Sequence, residues 1–200
     1  MTFLQPVSIC IPCGDSVKAE FSLCLANLMK KLGQDGVGTW VHMRKGSLIA
    51  AQRQRLAEEA MSVGSHGILW LDSDMTFPSD IYHQLMRREK AIVGAAYSVK
   101  DESGDSTAMI DHDGTLERVN AGTGLRRVDA CGFGALFTDI TVFEQMPRPW
   151  FQTTYDYEYE YHNGEDVFFC EQARDRGYDI WVDMDLSKQI GHVGSKDYKL

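Results

Sequence analysis

A chain of 200 residues with 44% hydrophobic content carries enough apolar material for one domain with a full core, and too little length for two. Its 29 acidic residues against 20 basic ones, a net charge of −9, disfavour a nucleic-acid partner held mainly through its phosphates, and no stretch approaches the roughly 18 apolar residues of a membrane span. The start "MTFLQPVSIC" lacks the basic segment and cleavage site of a secretory signal, and an odd count of five scattered cysteines argues for free thiols in a reducing compartment, so the expectation is a soluble, cytoplasmic domain.

"VSICIP", from Val7 to Pro12, is short, β-rich and closed by Pro-Cys-Gly-Asp, which predicts a buried strand and a loop. Phe21, Cys24, Leu25, Leu28, Met29 and Leu32 then recur at helical spacing, with Asp15 or Ser16 as N-cap and Gly33 as the stop. The unit repeats. "TWVHM" predicts a second strand, Ser47 can cap a helix reaching about Met61, and "GILWL" predicts a third strand. "PSDIYHQLMRRE" predicts a short helix and "AIVGAAY" a fourth strand. Alternating strands and helices imply an α/β fold with a mostly parallel central sheet covered by helices on both faces.

From about Lys100 to Val128 the composition turns to Gly, Asp, Ser and Asn, and "DHDG" offers a hairpin turn, so this stretch reads as a small β flap. "VDACGFGALFT" resumes a buried strand, "DITVFEQM" predicts a short helix, and "EDVFFCEQARDRG" a helix leading into the strand "YDIWVDM". In "TTYDYEYEYHNG", Tyr155, Tyr157, Tyr159 and Tyr161 alternate with Asp156, Glu158 and Glu160. Such period-2 order suits an edge strand that packs its tyrosines, or a platform of aromatic faces and carboxylates for a sugar.

The chemistry concentrates in "ILWLDSDMTFP". Ligands of open α/β sheets bind beyond the carboxyl ends of the strands, and Asp72 and Asp74 fall just past one. Two carboxylates on one turn can approach a hard cation such as manganese or magnesium. As a three-letter pattern between a strand and a proline, Asp-x-Asp is equally a polar turn. "MRKGSLIAAQRQR" places Arg44, Lys45, Arg53 and Arg55 close together as a local basic patch, and guanidinium groups match phosphate oxygens.

The same stretch resembles the strand and Asp-x-Asp motif of GT-A glycosyltransferases, and other segments match in family order. "VSICIPCGD" resembles the first nucleotide-binding strand and loop, and "SLIAAQRQRLAEEA" a helix that carries an arginine, here Arg53. "VDACGFGALFTDITVFEQM" resembles a small-residue strand whose backbone, at Gly132, lies near the donor. "NGEDVFFCEQARDRGYDIWVD" resembles the Glu-Asp helix beside the acceptor, and "IGHVG" a late metal-ligating histidine. The resemblance implies a single GT-A domain over residues 1–200 that moves a sugar from a nucleotide diphosphate sugar, UDP-sugars favoured, to an acceptor hydroxyl. It assigns Asp74 and His192 to a divalent metal (Mn2+ or Mg2+), and Asp72 to metal, ribose or both, with Ser73 between them. Pro12, Cys13 and Asp15 would line base and ribose, while Arg44 and Arg53 would reach base or diphosphate. Asp166 would be the general base of an inverting reaction and Glu165 an orienting or acceptor-binding group; both also suit the first turn of a helix. The acceptor stays open among a glycan, a small molecule and a hydroxymethylated DNA base.

Three other readings compete. "LDSDMTF" fits Asp-x-Asp-x-Thr, the nucleophile motif of haloacid-dehalogenase-type phosphohydrolases, which would make Asp72 the nucleophile. "CIPC", Cys10 to Cys13, has the spacing of a thioredoxin-like redox motif. A non-catalytic module that only binds a nucleotide sugar would keep the same pocket.

Overall fold

The computed structural model of the protein describes residues 6–100, 103–113, 115–156 and 160–194. The first half follows the expected alternation: β1 (Val7–Cys13), α1 (Ala19–Gln34), β2 (Thr39–Lys45), α2 (Ile49–Ser62) and β3 (Gly67–Leu71). A short β4 (Met75–Thr76), α3 (Ile81–Met86) and β5 (Ile92–Gly94) come next. Beyond them lie β6 (Met109–His112), β7 (Thr115–Arg118), β8 (Leu125–Val128), β9 (Ala135–Asp139) and α4 (Ile140–Gln145). The chain continues through β10 (Thr154–Asp156), β11 (Tyr161–Asn163), α5 (Glu165–Asp175), β12 (Ile180–Asp183), α6 (Met184–Ser187) and β13 (Gly191–His192).

Seven strands form the central sheet in the order β2-β1-β3-β9-β5-β12-β8. The sheet is mostly parallel, as expected, but β9 runs antiparallel to both β3 and β5 in its middle. β8 closes one edge, antiparallel to β12. The stretch expected to be a flap up to Val128 therefore gives its last strand to the main sheet, and only β6 and β7 form a separate hairpin. Their turn passes through Asp113 at φ +53°, the left-handed conformation that aspartate tolerates in tight turns; Gly114 of "DHDG" lies outside the described residues.

Both sheet faces are covered, which explains the unbroken apolar run of β3. Ile68 and Trp70 turn to one face, against Leu56 and Ala60 of α2, Phe143 of α4 and Phe169 of α5. Leu69 and Leu71 turn to the other, against Phe21 and Leu28 of α1 and Ile81 and Leu85 of α3. Among the described residues no helix is long and apolar enough to cross a membrane.

The expected helix caps are not the ones used. α1 starts at Ala19 behind Lys18, whose side chain has no acceptor with which to cap; the Lys18 N–H donates to the Ser73 carbonyl at 3.0 Å, so the chain from Asp15 is spent reaching that loop. α2 starts behind Leu48 instead of Ser47. The tyrosine-rich stretch forms the β10–β11 hairpin. Tyr155 is exposed there and meets the His162 ring edge-on at 4.9 Å, while Tyr157, Glu158 and Tyr159 lie outside the described residues.

Candidate functional site

Parallel pairing of β1 with β2 and β3 brings their carboxyl ends to one rim. There the loops are tied to one another. Gly46 N–H donates to the Cys13 carbonyl at 3.1 Å. The Gln52 side chain accepts from Cys13 N–H at 2.9 Å and donates to the Gly46 carbonyl at 3.0 Å. The result is a cavity of about 280 Å³ whose walls include Pro12, Cys13, Asp72, Ser73, Asp74, Tyr97 and His192.

Asp72, expected at metal, ribose or both, sets its carboxylate on Arg53, whose Nη2 donates to its two oxygens at 2.9 and 3.3 Å. The same guanidinium donates from Nε to Glu165 at 3.0 Å. Arg53 is only 3% exposed, with Phe133 and Trp70 rings 5.1 and 5.9 Å away. Burial acts to lower its pKa, but Asp72 and Glu165 outweigh that and hold the cation firmly charged. Burial pushes the Asp72 carboxyl up, and Asp74 and Glu165 add to the push against the opposing Arg53. A buried cation between two carboxylates, with charge-assisted bonds on two sides, is a rigid strut joining α2, β3 and α5.

Asp74 belongs to a second group. Pairing of β13 with β4 sets His192 opposite Met75, and Val193 N–H donates to the Asp74 carbonyl at 2.8 Å. The His192 ring lies 2.8 Å from the Ser98 carbonyl through Nδ1; a carbonyl only accepts, so Nδ1 donates there and Nε2 is the ring atom turned to Asp74. Nε2 stands 3.6 Å from Asp74 Oδ1, while Lys100 Nζ is ion-paired with Asp74 Oδ2. Burial acts upward on Asp74, but hydrogen bonding from His192 and Lys100 wins and holds the carboxyl at about 2. Tyr97 backs the histidine, its ring edge-on at 5.1 Å.

Gly132 lies behind Tyr97, away from the cavity wall. A Cβ there would come within 2.5 Å of the Tyr97 hydroxyl, and one at Gly134 within 2.8 Å of its ring, while Gly134 N–H donates to that hydroxyl at 3.1 Å. "GFG" is thus small where it must admit the partly buried ring of Tyr97.

A larger cavity, about 440 Å³, opens between the β6–β7 hairpin, the β10–β11 hairpin and the start of α5. Met109, Leu116 and Val167 give it an apolar wall, and Arg118, Asn163 and Asp166 a polar one. Asp166 accepts from the N–H of Val167 at 2.9 Å; burial and then Glu165 push its carboxyl up. Glu165 and Asp166, read together from the sequence, thus divide: Glu165 holds Arg53, and Asp166 faces a cavity.

Other expected site residues are not brought in. Arg44 pairs with Glu59 at the sheet edge. Asp15 is exposed and pairs with Lys45 at 2.7 Å, and Arg55 pairs with Glu58 at 3.1 Å. The expected basic patch is therefore neutralised residue by residue. Among the described residues no three His, Cys, Asp or Glu side chains are grouped so as to hold a metal ion, because Asp72 is turned to Arg53 and leaves Asp74 and His192 as a pair. The five cysteines are free. Cys10 is buried, its thiol donating to the Leu56 carbonyl at 3.7 Å, and burial raises its pKa well above the ordinary thiol range, the opposite of what a redox thiolate needs. Sequence reasoning missed Gln52, Tyr97, Ser98 and Lys100; none belongs to a motif, and only the small residues of "GFG" hinted at a bulky neighbour.

No family model and no curated protein matches the chain. Among solved structures, the crystal structure of A197 from STIV is similar to it with a TM-score of 0.60 and 15% identity, over 98% of this chain and 97% of that one. At that identity the likeness is one of fold.

Proposed function

We propose that the protein is a GT-A-type glycosyltransferase that uses a divalent metal and a nucleotide diphosphate sugar. The observation that carries this reading is the pairing of Asp74 and His192 at the carboxyl end of β3, beside one cavity that reaches the β1 loop and near a second that Asp166 enters.

The donor set fits the metal. The Asp74 carboxylate and His192 Nε2, which ligates only in its deprotonated form, would suit manganese or magnesium, and diphosphate oxygens would complete the shell. When bound, that ion stabilises the charge that grows on the diphosphate leaving group. Pro12, Cys13 and the Gln52-tied loop would wall the space for base and ribose, held in shape by the bonds among Cys13, Gly46 and Gln52. Arg53 stays on Asp72 and Glu165 and fixes Asp72 in the cavity wall; one cation shared by two carboxylates leaves the charge of a diphosphate to the metal. Asp166 accepts the proton of an acceptor hydroxyl held in the larger cavity. The hydroxyl oxygen then bonds to the anomeric carbon as the bond to the diphosphate oxygen breaks, with inversion. A cavity of this size suits one sugar-, base- or drug-sized group at a time, so a glycan end, a small molecule and a hydroxymethylated base all stay candidates as acceptor.

The phosphohydrolase reading asks Asp72 to attack phosphorus, yet both of its oxygens accept from Arg53. Mass spectrometry on a panel of nucleotide sugars incubated with the protein and manganese tests the proposal. One donor is expected to lose its sugar, to water or to an acceptor, with release of the nucleoside diphosphate. Retention of a donor with no turnover on a broad acceptor panel would make the protein a binding module. Phosphate release from a phosphomonoester that needs Asp72 would make it a phosphohydrolase.

A further inference from the structure

The chain from Tyr97 to Lys100 touches the metal-ligand pair three times. Tyr97 packs on the His192 ring, the Ser98 carbonyl takes the proton on Nδ1, and Lys100 pairs with Asp74 Oδ2. The Lys100 ammonium therefore stands on Oδ2 of the carboxylate whose Oδ1 faces His192. Two cations on the two oxygens of one carboxylate repel each other, so the ammonium on Oδ2 weakens the hold on a metal at Oδ1. Arg53 cannot yield, being 3% exposed and bonded on two sides. Lys100 can: its side chain is 35% exposed, on a flexible four-carbon stem.

Charge around the rim points the same way. Asp72, Asp74, Glu165 and Asp166 converge on Arg53 and Lys100, so the rim without ligands is already short of positive charge. A diphosphate would add more negative charge, and both a metal ion and a released lysine would offset it.

We propose that Lys100 is the resident cation of the Asp74 site: it neutralises Asp74 until a divalent ion takes that carboxylate, and then moves its ammonium to the donor's diphosphate. The inference rests on the metal-dependent transferase reading above, and makes Lys100 a positioning residue that trades one anion for another.

The test measures manganese binding directly, by the spin-resonance signal of free Mn2+, in the wild type, Lys100→Ala and Lys100→Gln, without nucleotide. Both variants are expected to bind manganese about tenfold more tightly than the wild type, because a competing cation within a few ångströms has gone. With manganese saturating, the same variants are expected to bind UDP or GDP about tenfold more weakly. Opposite changes in the two affinities are what a merely structural lysine would not produce. Manganese binding unchanged or weakened in both variants, while still abolished by Asp74→Ala, would overturn the role of Lys100 and leave the metal reading standing. No Asp74-dependent manganese binding in any of the proteins, with or without nucleotide, would remove the metal reading and the Lys100 proposal together.

Discussion

Replacing Arg53 by methionine is expected to cost about 3–5 kcal/mol of folding stability, the usual result of removing one partner from a buried ion pair. The size follows from what is left behind. Asp72 and Glu165, 23% and 12% exposed, lose their common cation, and burial already acts on Asp72 in the direction that disfavours its charge. Methionine fills much of the space between Trp70 and Phe133, so cavity formation contributes little and the loss reads mainly as electrostatic. Urea denaturation at pH 7 and pH 5 checks this. In the variant burial pushes the Asp72 carboxyl up with no cation opposing it, so its penalty is full at high pH and shrinks as the pH falls and it protonates. R53M should therefore recover part of its stability at pH 5, and R53M/D72N/E165Q should recover most of it at pH 7. A loss below about 1 kcal/mol would mean that the strut is a surface-like pair.

Asp166→Asn is expected to lower kcat by about 10²–10⁴, the ordinary contribution of a general base, while leaving donor affinity unchanged, because Asp166 lines the larger cavity and not the one at Asp74. The wild-type pH profile carries a second sign of the same role. A base works when deprotonated, and burial together with Glu165 pushes Asp166 up, so activity should fall on acidification at a pH above the ordinary aspartate range. The variant should lose that limb. Near-normal transfer by D166N would remove Asp166 from the chemistry.

What could be read in advance was what is local. "GILWL" announced a strand buried on both faces, since apolar side chains at every position have no solvent side to turn to. The helix stripe from Phe21 to Leu32 was equally plain. The direction of β9 was hidden, because a fully buried strand reads alike whichever way it runs. β8, "LRRV", has half its residues in water at a sheet edge, and so looked like part of the polar stretch before it. The two start signals at Asp15 and Ser47 failed where loops were recruited by distant partners, Ser73 in one case and Gln52 through Gly46 in the other.

The site divides along the same line. Asp72 and Asp74 were legible as acids past a strand end, because the motif and the strand are contiguous. That they face different partners was not, since Arg53 reaches Asp72 from α2, and His192 reaches Asp74 only through the β4–β13 pairing. An arginine on a helix reads as solvated unless the aromatics that enclose it, here Trp70 and Phe133, are known to arrive. Lys100 carries no signal at all in a stretch rich in Asp and Ser.

Whether Asp74 and His192 hold a divalent ion for a nucleotide diphosphate is tested most directly by thermal unfolding with manganese and UDP or GDP, separately and together. Ligand at about 100 times its Kd should stabilise the folded state by about 2.7 kcal/mol, several degrees of melting temperature for a chain of this length. The full shift is expected only when metal and nucleotide are both present, manganese alone giving a smaller one, and both should disappear in Asp74→Ala. An equal shift in Asp74→Ala, or none with any nucleoside diphosphate, would contradict the metal site.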